Sequence, residues 1–233
     1  RWPSVAPAGG GWRHHARFGR RWLSPPWGGR SCETLRALKP QVLDVDVHEA
    51  PGENTSRRRF DDLPLSPEGK LAMLEGLGYE HLTDVQARTF GPISQGDNAV
   101  VRAKTGAGKT LSFLLPIVER MKKRRQDGTT PGAIDVLILS PVRELSMQIH
   151  QEAEKITRYY AGLQPVLFVG GSSWQEDVEA LDSAGSASVL LIATPGRLQT
   201  HLNKTAGFAE RLARVQTLVL DEADQLAGEM FGL

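Results

Sequence analysis

Two clusters of residues in this sequence have the types and spacing to handle a polyphosphate. The first runs from Asn98 to Thr110. Val100-Val101 leads into a loop with Gly106 and Gly108, and Lys109-Thr110 opens a helix whose apolar side begins Leu111, Phe113, Leu114. Glycines let backbone N–H groups approach an anion, the helix N-terminus adds a partial positive charge, and Lys109 adds a full one. Thr110 offers a hydroxyl to a magnesium ion, which needs oxygen ligands. The general phosphate-loop pattern wants glycine where this chain has Ala103, and the competing reading is an accidental Gly-rich turn. The second cluster is Asp221-Glu222-Ala223-Asp224, directly after the apolar run ending at Leu220. Asp221 at a strand end can hold the magnesium, directly or through water, and Glu222 can orient and deprotonate an attacking water. Phosphoryl transfer is mostly positioning plus charge neutralisation, so it uses both. Alone, four such residues are an acidic helix cap; one domain-length after a phosphate loop they complete its chemistry.

The elements that must position these groups alternate along the chain. Ser66-Pro67-Glu68 starts a helix, with Ser as cap and Pro in the first turn, and Leu71, Met73, Leu74 and Leu77 continue it to Gly76 and Gly78. Thr83-Asp84 caps a second helix carrying Val85, Phe90 and Ile93, and Gly96-Asp97 turns into the phosphate-loop strand. Beyond the loop the sequence predicts a helix over 109–123, strands over 134–139, 165–169, 189–192 and 215–220, and helices over 144–160, 174–181 and 196–202. Apolar strands alternating with helices specify an α/β fold, a parallel sheet covered on both faces. Ligands of such sheets bind at the carboxyl ends of the strands, where each motif here falls. The tract Lys122 to Arg125 fits a helix C-terminus, where cations are favoured; contact with nucleic acid is its alternative reading. Residues 126–132 read as a polar surface link.

The chain has 233 residues, 40% hydrophobic and 24% charged, the balance of an ordinary globular domain. No apolar run approaches the ~20 residues needed to span a bilayer, so no membrane contact is expected. Cys32 stands alone, which excludes an internal disulfide, and no Cys/His cluster has metal spacing. The net charge of +1 conceals a basic front: residues 1–30 hold six arginines, no acid and four of the five tryptophans. That composition is read either as an organelle transit signal, mitochondrial or plastid, or as a disordered basic tail touching nucleic acid without specificity, in which case nucleus or cytoplasm is the alternative compartment. Residues 31–59 read as linker, and the compact domain is expected from Phe60 to Leu233. The sequence begins at Arg1 and stops just after a motif, so both ends are expected to be truncated.

Ala103 to Thr110, Pro141-Val142-Arg143-Glu144-Leu145, Gly170-Gly171, Thr194-Pro195-Gly196-Arg197 and Asp221 to Asp224 resemble, in order, the motifs of DEAD-box RNA helicases. The resemblance covers residues 60–233 and implies the first of two RecA-like lobes, with ATP and Mg2+ as cofactors and RNA bound between the lobes. It makes Ala103, Lys104, Thr105, Gly106, Ala107, Gly108, Lys109 and Thr110 the triphosphate cradle. Lys109, Asp221 and Glu222 become the catalytic set, and Thr110 with Asp221 the metal ligands. Lys104, where many members have Gln, is similar to a subset that includes mitochondrial and chloroplast RNA chaperones.

The family's adenine motif is visible from Gly78 to Gln86. By resemblance Tyr79 stacks on the base and Gln86 reads it through an amide able to donate and accept together; Phe60 matches an isolated upstream aromatic. A core aromatic and a helix-surface amide are the competing readings. Leu82 and Asp84 stand where the family usually has proline, which alters the loop and spares the contacting side chains. RNA is expected to run across Pro141, Arg143, Gly170, Gly171, Thr194, Pro195, Gly196 and Arg197, through its phosphates and therefore without regard to sequence. Arg143 has a competing assignment, pairing with Glu144 or Glu222. Val142 and Ser146 replace the usual Thr and Ala.

The resemblance implies an ATP-dependent RNA helicase that couples hydrolysis to local duplex unwinding or remodels ribonucleoproteins. An ATP- and RNA-gripping clamp without useful turnover, and a DNA-directed motor, are the alternatives. Lys109, Asp221 and Glu222 argue against a dead enzyme; the adenine motif and the Asp-Glu-Ala-Asp spelling argue against DNA. The second lobe, with the arginines that stabilise transition-state charge, is not in this sequence, so the piece alone is expected to be nearly inactive. Which RNA or protein partners it meets leaves no trace in the sequence.

Overall fold

The computed structural model describes residues 43–46, 58–126 and 134–231. The basic front, on which the transit and tail readings fall, and residues 127–132 of the surface link read over 126–132 lie outside the described residues, while Gln126 is the last residue of a helix. In chain order the elements are β1 (Leu43–Asp46), a 3-10 turn (Phe60–Asp62), α1 (Pro67–Leu71) widening into a π-helical turn (Ala72–Leu77), α2 (Asp84–Gln95) and β2 (Ala99–Arg102). There follow α3 (Lys109–Gln126), β3 (Ile134–Leu139), α4 (Arg143–Thr157), β4 (Leu163–Phe168), α5 (Trp174–Ser183) and β5 (Ser188–Ala193). The last are α6 (Pro195–Lys204), α7 (Phe208–Leu212), β6 (Thr217–Leu220) and α8 (Ala223–Phe231).

Four strands form one parallel sheet in the order β4-β5-β3-β6. The register sets Leu139 opposite Ala193 on one side and Leu220 on the other, which brings the carboxyl ends level. Both faces are covered. Val136, Ile138, Leu190 and Ile192 join a core with residues of the π-helical turn, α2, α3 and α4, while Ile134, Leu137, Val189 and Leu191 join a second core with Phe168, Leu181 and Phe208. A strand buried on both faces leaves little room for polar alternation, hence the apolar run Val189–Ala193 and the run Ile134–Leu139, broken by Asp135.

The strand that feeds the phosphate loop departs from the single expected sheet. β2 pairs in parallel with β1, Ala99 opposite Leu43 and Arg102 opposite Asp46, in a separate two-stranded sheet. β1 lies inside the stretch read as linker; Leu43 and Val45 alternate with Asp44 and Asp46, a period-two pattern too short to stand out. At the other edge β6 is paired only to β3 among the described residues, and Leu218 and Leu220 are exposed to 57% and 51%.

The helix signals mostly hold. Ser66 caps α1 by accepting from the Gly69 N–H at 3.2 Å, while Glu119 Oε1 accepts from the Ser66 N–H (3.0 Å), the Ser66 hydroxyl (2.9 Å) and the buried Tyr160 hydroxyl (2.8 Å). The basic tract at the end of α3 is structural: Lys122 pairs with Glu68, Arg124 donates to Gln216 Oε1 at 2.7 Å, and Arg125 donates to the Ser186 carbonyl at 2.8 Å. No helix among the described residues is long and apolar enough to cross a membrane.

Asp135, in β3, is 2% exposed and its Oδ2 has no hydrogen-bond partner. Burial pushes its pKa up, and a hydrogen bond from Ser188 with the charges of Arg124 and Arg125 offsets this only in part. A carboxyl whose folded pKa is raised binds its proton more tightly when folded. Stability therefore falls as pH rises from the unfolded value through the folded one, and the penalty is fully present at neutral pH. Asp135→Asn, which mimics the neutral acid, is expected to raise the unfolding midpoint at pH 7.5 by about 2–4 °C, corresponding to roughly 1 kcal/mol. Thermal melts should show the gain vanishing towards pH ~4; a gain independent of pH would assign it to something other than charge.

Candidate active site and nucleic-acid face

The phosphate loop is built against the start of α2. Gly106 and Gly108 have φ of +82° and +81°, and the buried Ala107 donates its N–H to the Lys104 carbonyl at 3.2 Å. A Cβ on Gly108 would stand 2.5 Å from Gln86 Nε2, so glycine is required there by space as well as by dihedral. Thr83 and Gln86 form a reciprocal cap on α2: Gln86 Oε1 accepts from the Thr83 N–H at 2.9 Å, and Thr83 Oγ1 accepts from the Gln86 N–H at 3.4 Å. The same Gln86 amide donates from Nε2 to the Gly108 carbonyl at 3.3 Å. Gln86 is thus buried and spans from helix cap to phosphate loop, and the helix-surface reading is excluded. Tyr79 is half exposed. Phe60 is buried in the core, and its N–H donates to the Glu80 carbonyl at 3.1 Å beside an Arg59–His81 bridge that fixes the strip carrying Tyr79.

The acidic cluster meets the loop at the end of β6. Asp221 donates its N–H to the Leu139 carbonyl at 2.9 Å. Burial and the neighbouring Glu222 raise its pKa, with Lys109 pulling the other way. Glu222 sits in the left-handed region at φ +48°, where a residue with a side chain is uncommon. Its Oε1 lies 3.1 Å from Lys109 Nζ, both side chains being about a quarter exposed. This contact joins the two chemical clusters across 113 residues. Asp221 is a partly buried carboxylate next to a second one, and with the Thr110 hydroxyl it has the hard oxygen donors that would suit Mg2+. No group of three or more His, Cys, Asp or Glu with metal geometry occurs among the described residues. An ion here would therefore complete its shell from phosphate and water, the usual habit of magnesium.

The remaining predicted residues lie in the loops after β3, β4 and β5. Pro141 precedes Arg143, the first residue of α4, whose guanidinium donates to the Gly170 carbonyl at 2.8 Å and not to Glu144 or Glu222. Gly171 has φ +96°, and a Cβ there would collide with Arg143 Nη1, so the two motifs interlock. Thr194 occupies the cap position of α6 without using its side chain, Pro195 fills the first turn, and nothing lies within 4 Å of a Cβ placed on Gly196. That helix start is open, as an anion site requires. Arg197 departs from expectation. Its side chain is 13% exposed, with Nε donating to Asp177 Oδ2 at 2.6 Å and Nη2 to the Ser172 carbonyl at 2.9 Å. The guanidinium is spent inside the protein because Asp177, 3% exposed, needs a cation. Asp177, His201 and Ser172 were not anticipated; the usable signal is a carboxylate four residues before Leu181, on the apolar face of α5.

Comparison with known proteins agrees with this geometry. The family model "DEAD/DEAH box helicase" matches residues 83–233. The chain is 39% identical over 207 residues to "DEAD-box ATP-dependent RNA helicase 26" of Oryza sativa subsp. japonica, covering 85% of this chain and 37% of that protein. It is 40% identical over 199 residues to the Arabidopsis thaliana protein of the same name, covering 84% of this chain and 23% of that one. Among solved structures, Mss116p bound to ssRNA and AMP-PNP superposes with a TM-score of 0.64 at 30% identity, over 79% of this chain and 36% of that one. A DEAD box protein from the hyperthermophile Methanococcus jannaschii gives 0.59 at 29% identity, over 74% and 44%. The chain thus spans well under half the length of these relatives.

The Lys109–Glu222 contact must open before the ammonium can meet a phosphate. Glu222→Gln is therefore expected to bind nucleoside triphosphate more tightly than the parent, by up to about fivefold, the scale of a partly exposed ion pair. Lys109→Ala should weaken it by roughly tenfold or more through loss of a charge-assisted contact. Calorimetric titration distinguishes the two; weaker binding by Glu222→Gln would mean that the pair preorganises Lys109 and does not compete for it.

Proposed function

This chain belongs to the DEAD/DEAH box helicase family, and from that premise we propose that it is the nucleotide-hydrolysing lobe of an ATP-dependent RNA helicase, binding ATP with Mg2+ and the backbone of RNA. The observation that carries the reading is the 3.1 Å contact of Lys109 with Glu222, which supports pairing a cation for phosphate with a carboxylate able to act as base. In the proposed cycle Lys109 turns from Glu222 to the terminal phosphates, which rest on the loop 103–110. Glu222, released, takes the proton of the attacking water as its oxygen bonds to the terminal phosphorus, and the bond to the departing ADP breaks. Magnesium, when bound by Thr110 and Asp221, supplies neutralising charge. Tyr79 offers its exposed face for stacking on adenine. Gln86 retains one Nε2 hydrogen and one Oε1 lone pair beyond its internal bonds, enough to read the base edge.

RNA phosphates would follow Pro141, Arg143, Gly170, Gly171, Thr194, Pro195 and Gly196, with Arg197 acting from behind. Mss116p, a structural relative, was solved with ssRNA bound. The transition-state arginines belong, by family resemblance, to a further lobe outside this sequence and are worth ~10³–10⁵ in rate. RNA-stimulated hydrolysis by the 233-residue chain alone should then be close to background, and should appear when a second lobe is supplied in cis; DNA of the same sequence should not stimulate it. Efficient unwinding by the chain alone, or equal stimulation by DNA, would refute the proposal, and RNA-dependent ATP binding with no turnover in the two-lobe protein would favour the clamp.

Gln86→Ala tests the adenine site in two ways. Losing the cap bond should cost about 0.5–2 kcal/mol of stability, and losing the base contact should bring ATP and GTP affinities together. Thermal melts and paired titrations read the two effects separately; a retained preference for ATP would place base recognition elsewhere.

A further inference from the structure

We propose that Asp177 is the positioning residue of the RNA face: it locks the loop after β4 to the start of α6 through Arg197, Ser172 and His201, none of which need touch RNA. The proposal rests on the reading of these loops as an RNA path. Asp177 Oδ2 accepts from Arg197 Nε at 2.6 Å and from His201 Nε2 at 3.0 Å, and Oδ1 lies 2.9 Å from the Ser172 hydroxyl. His201 is fully buried, stacked on Phe168 at a centroid distance of 4.1 Å. One hydrogen assignment satisfies the whole set. Trp174 can only donate, so its indole N–H at 3.0 Å makes the Thr205 hydroxyl an acceptor. The Thr205 hydrogen is then free for His201 Nδ1 at 2.9 Å, which leaves the imidazole proton on Nε2, facing Asp177. A neutral histidine and an Arg–Asp pair give a buried set without net charge. Burial also pushes the His201 pKa down against the pull of Asp177.

The consequence for the loop is electrostatic. Its carbonyls would repel a phosphate if free, yet two are occupied, Gly170 by Arg143 (2.8 Å) and Ser172 by Arg197 (2.9 Å), while the single Ser172 hydroxyl hydrogen serves either Asp177 Oδ1 or the Val169 carbonyl 3.0 Å away. Ser172 is the point where both members of the buried pair grip the loop, by its carbonyl and by its hydroxyl. Gly170 and Gly171 bring no side chains of their own to anchor it. Remove Asp177 and Arg197 loses the one carboxylate it meets among the described residues, Ser172 loses a partner that orients it, and the loop carbonyls are expected to swing free.

The sign of one substitution decides the matter. Asp177→Asn adds one positive charge and liberates Arg197, so if Arg197 were a phosphate ligand RNA would bind more tightly. Positioning by Asp177 requires the opposite: a labelled single-stranded RNA decamer should bind the 233-residue chain roughly tenfold more weakly, the scale expected of a buried hydrogen-bond set left half satisfied. Affinity for a fluorescent ATP analogue should stay within about twofold, because the network does not reach the phosphate loop. Amide exchange over 170–173 and 194–197 should rise roughly tenfold in the same variant. Arg197→Lys, which keeps the charge but loses the fork, should weaken RNA as well, and it serves if Asp177→Asn fails to fold. Unchanged or tighter RNA binding with unchanged exchange overturns the proposal. If the parent binds no RNA at all, the functional reading fails on its own, and exchange alone then judges whether Asp177 holds the loops.

Discussion

A lysine and a glutamate 113 residues apart meet at 3.1 Å, and most of the architecture can be read as the means of bringing them together. Lys109 is held by a loop whose glycines sit in left-handed conformations against the capped start of α2. Glu222 is held in the same region of dihedral space at the end of β6, where few residues with side chains settle. Between them stands a parallel sheet whose register levels the ends of β3, β5 and β6. The two charges neutralise each other, and in the proposed function a ligand would free each for a different part of the same reaction. Their mutual attraction is weak enough, at partial exposure, for phosphate to displace.

Gln86 shows the same economy in a smaller compass. One amide closes the helix cap, supports a phosphate-loop carbonyl and keeps one donor and one acceptor in reserve. The cap of α2 and the loop at Gly108 are therefore mechanically joined: a group that pulled on the amide would also pull on Gly108.

Local signals were well expressed in the sequence and non-local ones were not. Ser66, Thr83 and Ser173 each occupy a cap position and accept from an N–H three residues on, a rule confined to a few residues. The strand 134–139 was legible to the residue because burial on both faces makes all its positions but Asp135 apolar. β1 was not, since Leu43–Asp46 gains its structure only from pairing with β2, more than fifty residues away. Phe208–Leu212 is a helix too short to show periodicity and is held by burial of Phe208. The phosphate-loop and acidic motifs stood out in the sequence, because phosphate chemistry restricts which residues serve, and the structure brings the two together at Lys109 and Glu222. Arg197 misled: a motif names the residue, while its direction was decided by Asp177, twenty positions earlier, and by a histidine on the next turn of its own helix.

Among the described residues β6 is paired on one side only, which has a colloidal consequence for this polypeptide. Thr217-Leu218-Val219-Leu220 carries no lysine, proline or bulge among its strand residues, the devices by which proteins discourage strand addition, and its two leucines lie more than half exposed. A net charge of +1 supplies almost no repulsion between molecules. Two copies approaching along this edge would gain backbone hydrogen bonds and bury four leucines between them, so concentrated solutions of the chain should drift toward larger particles, faster as salt strengthens apolar burial. The shelf life of the purified polypeptide is then set at an edge strand, not at the site where its chemistry occurs.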